Sequence, residues 1–392
     1  MDIVIVANFT MDFSETDNGR FSYLANLLSE HDEVEVITSD FYHITKAKRE
    51  SLPNCLPYKV TFLKEPGYPK NICLKRFYSH KKWAKEVKRY LNSRKRPDVI
   101  YASVPSLDAA LYTAKYCRRN HIKFVIDIQD LWPEAFQMVL HIPFVSNILF
   151  WPFKAKANGI YKRADAICGV SETYVGRALQ VNQRCKSGTV VYLGTELSRF
   201  DEGKDDRPIL KKSEGEIWVA YCGTLGASYD LTCVIDALAL IDEEKLCFVV
   251  MGDGPRMDEF VSYAKQKKVR TEFVGRLNYR TMSCLLSACD ITVNPITHLA
   301  PQSIINKHAD YAASGLPVVS TQENEEYKHL VEEYRMGFNC NNNDASDMSR
   351  KIKRLIEDDE LRLSMGKNAR KCAEERFDRK TSYSLLVNAI LK

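Results

Sequence analysis

The chain has 392 residues, 45% of them hydrophobic and 27% charged, and a formal net charge of +5. That is the balance of a soluble globular protein, long enough for two or three domains, and no apolar run is long enough to cross a bilayer. Charge is unevenly shared: through Thr195 there are 28 Lys and Arg against 19 Asp and Glu, and after it 28 against 32. A basic first half points to an anionic partner. The twelve cysteines are dispersed, and none shows metal-ligand spacing. They read as reduced core thiols of a cytoplasmic protein with no metal site.

Helix and strand signals alternate from end to end, which predicts α/β architecture with parallel sheets covered by helices. The start, Met1–Asn8, is a short apolar strand without the basic flank or cleavage region of a signal peptide. Asn18-Gly19-Arg20 follows, where Gly19 either lets the loop approach a ligand or makes an ordinary tight turn. Further strands are expected at Val34–Thr38, Val99–Ala102, Phe124–Ile128, Ala166–Val170 and Thr189–Leu193. Between Lys75 and Arg96, apolar Trp83, Val87, Tyr90 and Leu91 recur at helical spacing among many lysines and arginines. This is an amphipathic basic helix, which presents either a solvated face or a surface for anions.

Asp130-Leu131-Trp132-Pro133-Glu134 follows the fourth strand, and Asp130 is a candidate site residue or else a cap for the next helix. The stretch Val139–Lys156 is apolar and aromatic, is broken by Pro143 and Pro152, and ends in lysines. It suits either a buried helix or a segment lying in a membrane interface. The polar run Glu202–Pro208 is expected to be the loop between domains.

A second set of strands begins at Ile217 and continues through Cys247–Met251, Glu272–Val274, Ile291–Val293 and Val318–Ser320. The first runs into Cys222-Gly223-Thr224-Leu225-Gly226, and the second into Met251-Gly252-Asp253-Gly254. Glycines there let a backbone come close to a diphosphate. Arg276 ends the third strand, placed to hydrogen-bond or stack on a base. After the fourth strand a loop carries Pro301-Gln302-Ser303-Ile304-Ile305, and a helix then carries Lys307 and Asp310. A helix N-terminus at the carboxyl end of a parallel strand attracts phosphate. Lys307 adds a mobile full charge, and Asp310, about one turn on, offers a carboxylate to both hydroxyls of a ribose. Phosphate donors, a lysine and a ribose acceptor in this order indicate a nucleoside diphosphate.

On these motifs, together with Val191-Tyr192-Leu193-Gly194-Thr195-Glu196-Leu197-Ser198-Arg199-Phe200, the chain resembles the GT-B glycosyltransferases over nearly its whole length. Within them it looks closest to retaining family 4, and there to the WbuB-like branch that builds capsule and O-antigen units. The resemblance implies two Rossmann-like domains facing a cleft. Residues 1–195 would bind the acceptor, completed by a returning C-terminal helix over 376–392, and residues 196–375 would bind the nucleotide sugar. The family's paired glutamates fall on Gln302 and Asp310, and its usual Arg and Lys after Gly223 are missing. Lys307 is thus left as the main charge for the diphosphate.

The expected donor-binding set is Gly19, Gly223, Thr224, Gly226, Gly252, Arg276, Gln302, Ser303, Ile304, Ile305, Lys307 and Asp310, with Asp130 and Lys307 as the catalytic candidates. His298 and His308 flank the helix and are read as structural. The implied donor is a UDP-sugar, an N-acetylated hexosamine, used without cofactor or metal. The implied acceptor is a polyprenyl-diphosphate-linked sugar or a glycan, with peripheral contact to an anionic membrane and no role for nucleic acid. A nucleotide-sugar epimerase of the same fold, or a non-catalytic partner protein, is the alternative.

Overall fold

In a computed structural model, the structure describes residues 1–13, 19–49, 55–71, 73–134, 143–241, 243–298, 300 and 303–392, with the backbone alone over 143–149. The expected Gln302 and Asn18 lie outside the described residues. Strands are β1 Asp2–Val6, β2 Glu33–Ser39, β3 Phe41–Tyr42, β4 Ala47–Lys48, β5 Lys59–Leu63, β6 Val99–Val104, β7 Lys123–Ile128, β8 Ala166–Gly169 and β9 Thr189–Val190. They continue as β10 Ile217–Cys222, β11 Leu246–Met251, β12 Thr271–Gly275, β13 Ile291–Asn294, β14 Val318–Ser320 and β15 Gly337–Asn339.

The chain divides into two compact units, Met1–Val191 with Tyr383–Lys392, and Tyr192–Ser382. The first holds a seven-stranded parallel sheet in the order β5-β2-β1-β6-β7-β8-β9, plus the β3–β4 hairpin. Ile3, Ile5, Val99, Tyr101 and Val125 pack on one face, and Val4, Val6, Ile100, Ala102 and Ile126 on the other. Alternate residues of one strand face opposite sides, so near-continuous apolar runs mark strands buried on both faces. Tyr383, Leu386 and Ile390 of the returning C-terminal segment complete one of these layers. A buried bidentate pair, Arg20 Nε and Nη2 to Asp127 at 2.8 and 3.0 Å, anchors it, since Arg20 Nη1 also donates to Val191 O and Tyr383 Oη.

The second unit holds a six-stranded parallel sheet in the order β12-β11-β10-β13-β14-β15. Strand order reverses between β10 and β13, and in sheets of this type the crevice beyond the strand ends at that point is where ligands bind.

Several expectations shift. The divisions expected at 195/196 and 376 fall at 191/192 and 382/383. Thr195 N–H donates to Phe377 O, and Arg379 donates from its backbone to Thr195 O and from Nε to Leu193 O, which ties both crossings to the second unit. Glu202–Pro208 is not a loop between units. Asp206 pairs with Arg280 at 2.6 Å, and Arg370 grips Asp201 just before it, so this polar run is fastened to the second unit. The strand expected over Thr189–Leu193 ends at Val190. The half-exposed edge strands β5 and β15 were not anticipated.

Candidate functional site

Of the second unit's two glycine turns, the first stands at its switch point at the end of β10, and the second lies at the end of the neighbouring β11. Gly223, just past β10, has φ +147°, and Gly252, just past β11, has φ +156°. A Cβ on Gly252 would lie 1.8 Å from Gly223 O, so the two turns touch backbone to backbone. A Cβ on Gly223 would lie 3.1 Å from Lys307 Nζ. The missing side chains are what allow Lys307 to reach this point.

Lys307 itself is buried. Its Nζ sits 3.6 Å from the Tyr229 ring centroid and 4.4 Å from that of Tyr221, and it donates to Tyr221 Oη at 3.3 Å. Tyr221 Oη in turn donates to Thr224 O at 2.8 Å, so lysine, tyrosine and loop form one relay. Burial pulls the Lys307 ammonium down to about 7. The expectation of a mobile, fully charged lysine is therefore corrected: aromatic faces hold it, and desolvation weakens its charge.

The helix Asn306–Ser314 that carries it is set by its two ends. Gly315, with φ +70°, stops it in a left-handed turn. Ile305 at the N-cap brings no side-chain oxygen, so its carbonyl takes the His308 N–H at 3.1 Å while the N–H groups of Asn306 and Lys307 face an outside acceptor. His308 holds the entry instead. Its Nδ1 accepts the Ile305 N–H at 3.0 Å, which leaves the proton of the neutral ring on Nε2, 3.1 Å from the Asn294 side-chain amide, and its ring stacks on Tyr327 with centroids 3.8 Å apart. Burial keeps this imidazole neutral, well below its usual range. Asn294 donates to Gln322 Oε1, and Gln322 Nε2 donates to Ser303 O at 2.9 Å, which pins the loop before the helix. Ser303 and Ile304 are both buried. Tyr311 ties the helix to β10 by accepting from Cys222 N–H at 2.8 Å.

Asp310 and Lys307 do not share partners. Asp310 Oδ1 accepts from Tyr279 Oη at 2.9 Å, and Tyr279 is hydrogen-bonded to Thr195 Oγ1. Burial pushes the Asp310 carboxyl up to about 6, against the opposing pull of Tyr279 and Arg379. Thr224 and Arg276 are exposed, and Gly226 is half-buried. The second unit thus gathers Gly223, Gly252, Lys307 and the Ser303–Ile305 entry at one point. Tyr221, Tyr229, Asn294 and Gln322 support them, Tyr279 and Thr195 support Asp310, and all six were missed by sequence reasoning. A buried asparagine closing β13 was the one available signal.

In the first unit Gly19 caps the helix Arg20–Ser29 with φ −81°, which any residue can adopt. Asp130 follows β7, accepts the Trp132 Nε1–H at 3.0 Å, and has its carboxyl pushed up by burial. Among the described residues, no group of three or more His, Cys, Asp or Glu side chains could hold a metal ion.

Residues 203–372 match the family model for glycosyl transferases group 1. The matched stretch covers less than half of the chain. It lies wholly within the second unit and contains Gly223, Gly252, Lys307 and Asp310. A probable glycosyltransferase of Pseudomonas aeruginosa, WbjE, is 22% identical over 246 residues, 60% of each chain. The uncharacterized glycosyltransferase MJ1069 of Methanocaldococcus jannaschii is 21% identical over 62% of each. The aligned stretches thus span only about three fifths of these curated relatives.

Among solved structures, Anabaena Alr3699/HepE in complex with UDP aligns over 99% of both chains, with TM-score 0.72 and 17% identity. WaaG, a glycosyltransferase involved in lipopolysaccharide biosynthesis, aligns over 99% of both, with TM-score 0.66 and 14% identity. These likenesses establish the fold, GT-B, with its two Rossmann-like domains.

Proposed function

We propose that the chain is a retaining glycosyltransferase that moves a sugar from a nucleotide diphosphate donor to an acceptor hydroxyl. The observation that carries this is the meeting of Lys307, the start of its helix, and the touching glycine turns at Gly223 and Gly252. Bond cleavage leaves a nucleoside diphosphate. Fixed N–H groups and one ammonium aimed at the growing negative charge stabilise it without a metal. Asp310, with Tyr279 beside it, takes the ribose hydroxyls, and Gln302 contacts the sugar. A UDP-linked N-acetylated hexosamine is the favoured donor, in keeping with the UDP held by the fold relative HepE. The acceptor is a lipid-linked or glycan sugar of a bacterial surface polysaccharide, bound by the first unit with Asp130 orienting it at the inner face of the membrane.

Incubation with a panel of UDP- and GDP-sugars, with and without a membrane extract, tests the reading. Nucleotide release that requires the extract is expected. Sugar interconversion without an acceptor would make the protein an epimerase, and neither event would leave a non-catalytic partner.

A further inference from the structure

The first unit holds a second cationic centre, remote in sequence from Lys307. The Arg76 guanidinium lies 4.6 Å from the Trp132 ring centroid, 5.4 Å from Phe9 and 5.6 Å from Tyr68. Its Nη1 donates to Asn71 O at 2.9 Å, the guanidinium also interacts with the Tyr68 hydroxyl and is attracted by Asp130, and its buried Nε has no partner. Lys46 Nζ stands 5.3 Å from the same Tyr68 ring and within 3.2 Å of His43 Nδ1. His80, 3% exposed, stacks on Trp132 with an unpartnered Nε2.

The acids nearby are already engaged. Glu65 accepts from Ser79 Oγ and Asn8 Nδ2, and Asp130 accepts from Trp132. Among the described residues no carboxylate is ion-paired with Arg76 or Lys46. Arg20 of the same unit shows the contrast, since its burial is matched by a bidentate bond to Asp127. Burial pulls the Arg76 guanidinium below its ordinary value despite the attraction of Asp130, so an incoming anion would offset a cost that no ion pair covers. Burial first, and the neighbouring cations after it, pull His43 down to about 4 and His80 to about 3, so both imidazoles stay neutral beside Arg76. Phe9 and Trp132 follow the carboxyl ends of the parallel strands β1 and β7, and His43 lies in the β3–β4 hairpin beyond β2, at the edge where such sheets bind ligands.

We propose that this aromatic cluster, with Arg76 at its centre and Lys46 at its rim, forms a pocket that binds the phosphate or diphosphate group of the acceptor. The proposal rests on the transferase reading for the word acceptor, but the pocket itself does not. Arg76 donates N–H···O bonds to the anion, while the rings hold its plane.

Calorimetry of the full chain, held in saturating UDP to block any diphosphate site in the second unit, tests it with inorganic pyrophosphate, farnesyl diphosphate and farnesol. Both diphosphates should bind. Arg76→Gln should weaken them about thirtyfold and Lys46→Gln less, with UDP affinity unchanged in both variants. Tighter binding of farnesyl diphosphate than of pyrophosphate would support a lipid-borne group, and the reverse would support a free anion in the same pocket. Farnesol should not bind. Anion binding abolished by UDP, or indifferent to both substitutions, overturns the pocket. If Arg76→Gln fails to fold, Lys46→Gln carries the same comparison. Arg76-dependent binding in a protein that ignores UDP would sink the donor reading and leave the pocket standing.

Discussion

Lys307 is held in a place that disfavours its own charge. Rings on two sides and a hydroxyl partner keep it near the glycine turns, and burial brings its ammonium down to about 7. An incoming diphosphate would restore the charge, so binding should take up a proton wherever the free lysine is neutral. Affinity for UDP-N-acetylglucosamine, whose diester phosphates do not titrate near neutrality, should fall as pH rises from about 6 to about 9. Lys307→Met should weaken binding by tens-fold, in line with about 2 kcal/mol for a charge-assisted contact, and should flatten the pH dependence. The same substitution should raise the melting temperature. A lysine with a lowered folded pKa costs stability fully below about pH 7, and that cost fades as pH rises toward its ordinary value of 10.5. A variant that loses affinity and stability together would mean that Lys307 is a packing residue. Calorimetry and thermal melts across that pH range decide the point.

At the scale of elements, the contact between the β10 and β11 turns is the least tolerant feature of the second unit. Gly252→Ala would place a methyl group 1.8 Å from Gly223 O at a φ of +156° that side chains rarely adopt. Neither backbone can yield without moving a strand end. A loss of roughly 2–4 kcal/mol in unfolding free energy is expected, by urea titration, with donor affinity lost as the turns part. Gly226→Ala, whose Cβ meets only Thr224 at 3.7 Å, is the control and should be nearly neutral. These turns were legible in the sequence, because a glycine directly after a buried apolar run marks a strand end where a side chain would block the turn. So were the central strands, where Ile3–Val6 or Phe248–Met251 are apolar on both faces. β5 and β15 were not, since Lys59-Val60-Thr61-Phe62-Leu63 is half-exposed and Gly337-Phe338-Asn339 is short. The partners of the site residues were hidden for a different reason. Tyr221 meets Lys307 across 86 positions and Thr195 meets Tyr279 across 84, separations that only the completed sheet brings together.

For the molecule as a whole, the charge asymmetry read from the sequence has a physical location. In the first unit the helix Leu74–Ser93 buries Trp83, Val87 and Leu91 and turns Lys75, Lys81, Lys82, Lys85 and Lys88 outward. Phe77 packs on Phe153 with ring centroids 5.2 Å apart, which sets the start of this helix beside the helix Pro143–Tyr161. Leu74 is 86% exposed, Tyr78 56% and Trp151 68%, with exposed Lys154 nearby in sequence. Among the described residues no helix is long and apolar enough to cross a membrane. Apolar side chains raised among lysines suit shallow contact with an anionic surface instead, each lysine contributing about 1 kcal/mol. The full chain should sediment with phosphatidylglycerol vesicles at low salt and be released as salt rises, because screening shortens the reach of the charges. Replacing Lys81, Lys82, Lys85 and Lys88 by Glu should abolish sedimentation while UDP affinity stays unchanged. Trp151→Ser should weaken the bound state that remains after partial screening, since insertion of a ring does not depend on salt. Failure of the unaltered protein to sediment at low salt would rule out the membrane surface and favour a soluble glycan acceptor.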